Sequence, residues 1–128
     1  MKIRLITIGT RMPAWVTTGY DEYAKRLPRE CSLELVELPM PQRGKNADIA
    51  RLMEKESQAL LGQLRGNERV VSLDERGKPW RTLDLAKQLE KWQQDGRDVA
   101  LLVGGPDGLS PDCKQRAEQS WCLSPLTL

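Results

Sequence analysis

The stretch RDVALLVGGPDGLSP, residues 97–111, decides the fold. Val99 to Val103 are apolar without a break. A strand with one wet face would alternate, so this run predicts a central parallel strand covered on both faces. Gly104 and Gly105 close it. Ser110 followed by Pro111 then reads as a helix cap with proline at the first helical position, opening a helix over SPDCKQRAEQS. The unit is strand, glycine turn, helix.

The same grammar extends in both directions. KIRLITIG, at the start of the chain, is rich in Ile and Leu and ends on glycine, a buried first strand. PAWVTTGYDEYAKRL places Trp15, Val16, Tyr20, Tyr23 and Leu27 at helical spacing after Pro13. SLELVEL is a short strand closed by Pro39. NADIARLMEKESQALLGQLRG is a helix with Asn46 as its cap, Ile49, Leu52, Met53, Leu60 and Leu64 as its apolar stripe and Gly66 as its stop. RVVSLD is the third strand, ending at Leu73-Asp74. TLDLAKQLEKWQQDG is a helix capped by Thr82, with Leu85, Leu89 and Trp92 on one face and Gly96 at its end. SWCLS is a fifth strand. Strands alternating with helices imply an α/β fold: a mostly parallel sheet of about five strands, with right-handed crossovers and helices on both faces. No repeat, low-complexity segment or linker divides residues 1–128, which read as a single domain.

Composition narrows the chemistry. The 128 residues carry 20 basic and 18 acidic side chains, a net charge of +2. Any nucleic-acid site must therefore be a local patch. There is no histidine, which removes the commonest general base and metal ligand and excludes Ser-His or Cys-His nucleophile chemistry within the chain. Cys31, Cys113 and Cys122 are odd in number and lack CxxC spacing, which argues against disulfides or zinc and for a reducing cytoplasm. No apolar run approaches the ~18 residues of a membrane span. The opening residues lack a small-residue cleavage site and read as a strand, not a signal peptide.

Ligands of open parallel sheets bind beyond the carboxyl ends of the strands. Three such ends stand out: Leu73-Asp74, VGGPDGLS and LSPLTL. Gly104, Gly105 and Gly108 would let a ligand approach bare backbone, and equally suit a tight strand-to-helix turn. GGPDG is not a dinucleotide fingerprint, which disfavours an oxidoreductase of that kind. PQRGKNAD carries Arg43 and Lys45 ahead of a helix, and DERGKPWRT carries Arg76, Lys78 and Arg81 around Trp80. Such cations suit phosphates and the indole suits a base, although solvated loops have the same look. Cys113, Cys122 and Trp121 read as core, and Asp107 as a turn former.

RGKNADI, LDERGKPW, GRDVALLVGGPDGLS and AEQSWCLSPLTL occur in this order. Together they closely resemble the RlmH family, the SPOUT-class bacterial methyltransferases of 23S ribosomal RNA, over Met1 to Leu128. The resemblance implies a trefoil-knotted α/β homodimer, without metal or membrane, that uses S-adenosylmethionine to methylate N3 of a pseudouridine in the assembled ribosome. It implies donor contacts at Leu73, Gly104, Gly105, Leu123, Ser124, Pro125, Leu126, Thr127 and Leu128. Arg43, Lys45, Arg76 and Lys78 are the expected RNA contacts. The family continues past a segment like LSPLTL into a helix and tail that complete the knot and supply polar groups at the target base. Without them the expectation is an incomplete knot, no assignable base in residues 1–128, and impaired activity. The alternative is a non-catalytic truncated or engineered core that keeps the fold and weak ligand binding.

Overall fold

The protein is described by a computed structural model, which covers residues 1–9, 25, 31–40, 48–79, 82–104 and 109–122. Its frame is five strands in the order β2-β1-β4-β3-β5. They are β1 (Lys2–Ile8), β2 (Ser32–Leu38), β3 (Arg69–Pro79), β4 (Val99–Val103) and β5 (Gln119–Cys122). Every pairing among them is parallel. The helices are α1 (Ile49–Gly62), α2 (Thr82–Asp95) and α3 (Pro111–Arg116).

β4 lies between β1 and β3, and all five of its residues are buried. The unbroken apolar run thus does what its pattern dictates. Its alternate side chains feed two cores. Val99, Leu101 and Val103 pack with Ile3, Leu5, Val71 and Leu73, and with Leu89 and Trp92 of α2. Ala100 and Leu102 pack with Ile6, Ile8 and Val70, with Leu60 of α1 and with Cys113 of α3. So α2 covers one face, and α1 and α3 the other. Handedness explains the division. The connections β2 to β3 and β4 to β5 run one way across the sheet, and β3 to β4 runs back, so right-handed crossovers put the third connection on the opposite face.

Local signals set the helix ends. Ser110 accepts a hydrogen bond from the Cys113 backbone N–H, with Pro111 in the first turn, as read from the sequence. Gly96, at φ +77°, ends α2, and its N–H donates to Trp92 O. α1 differs from its reading. Its cap is Asp48, which accepts from Arg51 N, not Asn46, which lies outside the described residues. It stops at Gly62, before Gly66, in a tightened last turn where Gln63 N–H reaches Leu60 O. Its inward stripe holds Leu52 and Leu60 but also buries Glu56 and Ser57, while Ile49 stays half exposed. The helix read over residues 13–27 falls outside the described residues except at Lys25, which is helical and exposed.

β3 is the larger correction. It does not end at Leu73-Asp74. It continues to Pro79, and both Leu73 and Lys78 stand opposite Trp121 of β5. Residues 74–77 are therefore extra on the β3 side, a long bulge that turns the strand's course at its carboxyl end.

Candidate functional site

Register lines up one row of residues across the carboxyl-end rim of the sheet. Glu37 stands beside Thr7, Thr7 beside Val103, Val103 beside Leu73, and Leu73 beside Trp121. Side chains paired in register share a face, here the α2 face. The middle of the row is an apolar wall, with Val103, Leu73 and Trp121 buried. Trp121 stacks on Trp92, with ring centroids 4.9 Å apart and planes 5° from parallel. That pair fixes the floor of the rim beside Leu73.

Just beyond the row β4 and β1 end. Gly104 follows Val103 and is half-buried. Gly9 follows Ile8 at φ +86°, donates to Leu38 O at 2.6 Å, and has Met40 Cε 3.0 Å from where a β-carbon would stand. Its backbone strain and its crowding both demand glycine. Thus β1 and β4, neighbours in the sheet, each meet glycine within two residues of the Thr7–Val103 pair.

The row holds one buried polar side chain, Thr7, at 1% exposure. Its hydroxyl has no hydrogen-bond partner among the described residues. A buried hydroxyl without a partner costs about 1–3 kcal/mol. Trp92 Nε1 is likewise buried and without a partner among them.

The opposite pole is charged but self-satisfied. Arg4 donates to both carboxylate oxygens of Glu68, at 2.9 and 2.6 Å, and to Gln63 O at the end of α1. Burial pushes the Glu68 carboxyl up. The hydrogen bonds from Arg4 and from the Arg65 N–H, with the Arg4 charge, outweigh it and hold the carboxyl below its usual range. The bond to Glu68 correspondingly raises the Arg4 guanidinium against the effect of burial. Arg69 and Arg97 alternate with Asp95 and Glu118 in a closed ring of ion pairs. These cations are committed to the fold.

Of the residues named from sequence, Leu73 and Gly104 come together across the β3–β4 pair at this rim. β5 ends there at Cys122, so the chain enters Leu123–Leu128 from the rim. Arg76 lies in the β3 bulge, and Lys78 pairs with Trp121 just past it. Arg43, Lys45, Gly105, Asp107, Gly108 and Leu123 to Leu128 lie outside the described residues. Cys113 and Trp121 are core, as read, with Cys113 Sγ 3.4 Å from Ser57 Oγ. Thr7 was missed. Its signal was a lone hydroxyl in an otherwise apolar strand end. Arg4 and Glu68 were missed too, although an arginine inside KIRLITIG needs a buried partner. Among the described residues no three His, Cys, Asp or Glu side chains converge as a metal site, and no helix is long and apolar enough to cross a membrane.

The whole chain, residues 1–128, matches the model of a family described as "Predicted SPOUT methyltransferase". The chain belongs to the SPOUT methyltransferase family.

Proposed function

We propose, starting from that membership, that this domain binds S-adenosylmethionine at the carboxyl-end rim and serves the methylation of N3 of a pseudouridine in 23S ribosomal RNA. One observation supports the placement above others. Leu73, Gly104 and the exit of β5, far apart in sequence, meet on one rim through sheet register. The residues fit a flat, polar-edged ligand. Gly104 offers backbone without a side chain, Leu73 and Val103 offer an apolar wall, and Thr7 offers an unspent hydroxyl.

When bound, the donor's sulfonium supplies an electrophilic methyl group. Leu73, Gly104, Gly105 and the segment Leu123, Ser124, Pro125, Leu126, Thr127 and Leu128 would hold it. The task of these residues is orientation: fixing two reactants in line replaces a rare encounter with a near-unimolecular step. The apolar wall lowers the local dielectric, so any group that favours loss of the N3 proton acts more strongly there. Arg43, Lys45, Arg76 and Lys78 would engage RNA phosphates, contacts that set position rather than sequence. In this reading the domain works as a cytoplasmic homodimer on the assembled ribosome.

The test is transfer of an isotopically labelled methyl group to ribosomes lacking this modification, read by mass spectrometry of the nucleosides. Label should appear on N3 of pseudouridine and vanish in Gly105→Val, where a side chain would meet the donor. The Arg76→Glu, Lys78→Glu double variant should bind ribosomal RNA more weakly, with a flatter dependence on salt. Label on another base, or undiminished label in Gly105→Val, would overturn the reading.

A further inference from the structure

Thr7 is the one buried polar side chain in its row, and no described residue partners its hydroxyl. β1 sends Ile3 and Leu5 to the same face, both buried in the α2-side core. Valine has nearly the shape of threonine and would complete that series without a group to satisfy. Most buried hydroxyls in native proteins are paired, so one that is not calls for a reason. Trp92 Nε1 is also unpartnered among the described residues, but there the ring itself is needed for stacking, and its N–H comes with it. The Thr7 hydroxyl brings no such packing benefit.

Its place supplies the reason. Thr7 is in register with Val103, so it flanks the residue that runs into Gly104. Leu73 flanks Val103 on the other side. Thr7 and Leu73 are two strands apart, about 10 Å by the usual strand spacing. A ligand lying over Val103 from Leu73 would carry its far end to Thr7. Two residues on, Gly9 takes the left-handed conformation, at φ +86°.

We infer that the Thr7 hydroxyl hydrogen-bonds a polar group of the bound methyl donor, on the side away from Leu73. The inference rests on the donor reading above. A hydroxyl both donates and accepts, so a ribose hydroxyl or the amino-acid end of the donor satisfies it.

The experiment compares the unsubstituted chain with Thr7→Val and Thr7→Ser. Titration calorimetry uses S-adenosylhomocysteine and 5′-methylthioadenosine, which lacks the amino-acid end, and thermal unfolding is recorded without ligand. Thr7→Val should unfold at the same or a higher temperature and bind S-adenosylhomocysteine about five- to tenfold more weakly, the loss of one net hydrogen bond. Thr7→Ser should bind within about twofold of the unsubstituted chain. A contact to the amino-acid end leaves methylthioadenosine affinity unchanged by Thr7→Val, and a contact to ribose lowers it equally. Undiminished S-adenosylhomocysteine binding by Thr7→Val would overturn this inference alone. So would a fall in unfolding temperature in Thr7→Val, the mark of a structural hydroxyl. No binding by the unsubstituted chain would overturn the donor reading, and this inference with it.

Discussion

Arg4 and Glu68 show how a single pair holds two elements at the pole away from the site. Arg4 lies on β1 beneath the carboxyl end of α1, where a cation meets unspent carbonyls and the negative end of the helix dipole. Glu68 precedes β3, so the pair ties β1, α1 and β3 together. Removing one member of a buried ion pair costs about 3–5 kcal/mol, because the other is left charged and unpaired. The pH dependence has a definite sign. The Glu68 carboxyl is lowered in the folded chain. Its contribution is therefore complete above the ordinary carboxyl value, about 4.3, and is lost as pH falls through the lowered one. Glu68→Gln should be less stable than the unsubstituted chain at neutral pH, with the gap closing in acid. Urea unfolding across pH checks this, and a gap independent of pH would contradict it. At this scale the sequence was partly legible. The core roles of Cys113, Trp92 and Trp121 followed from spacing and apolar context. The partner of Arg4 did not, because pairing residues 64 positions apart is a product of the fold.

Among the elements, those with strong local signals were legible and those fixed by neighbours were not. β4 could be read because five buried residues leave no wet face. α3 could be read from Ser110-Pro111. The second half of β3 could not. Residues 74–79 include Asp, Glu, Gly, Lys and Pro, poor strand formers, and pairing with β5 holds Lys78 and Pro79 in the sheet. The cap of α1 shifted for a simpler reason: Asn46 and Asp48 are both good caps, and the chain uses the later one. The helix ends allow a paired prediction. Gly96 has open space around a β-carbon but φ +77°, so Gly96→Ala should cost about 1–2 kcal/mol in backbone strain alone. Gly62 also has open space, at the end of α1, and Gly62→Ala should be neutral or stabilising by up to about 1 kcal/mol. Denaturant midpoints for the two variants should move in opposite senses or differ by at least the strain term. Equal shifts would mean that strain does not set the end of α2.

On the scale of the whole molecule, the parallel sheet has two unlike poles. At one, arginines and carboxylates neutralise one another. At the other, glycines, an apolar row and a hydroxyl with no partner among the described residues meet where β1, β3, β4 and β5 end. The sequence pointed to three of these ends because parallel strands deliver their carboxyl termini to one side. It did not show which residues stand in one row, since register follows from packing both faces at once. Hydrogen–deuterium exchange with and without saturating S-adenosylmethionine tests the location directly. Protection should gather in peptides spanning residues 73–79, 103–109 and 119–128, with no change around Arg4, Glu68 and Arg97. Protection centred on that charged pole, or none anywhere under saturation, would contradict a donor site at the carboxyl-end rim.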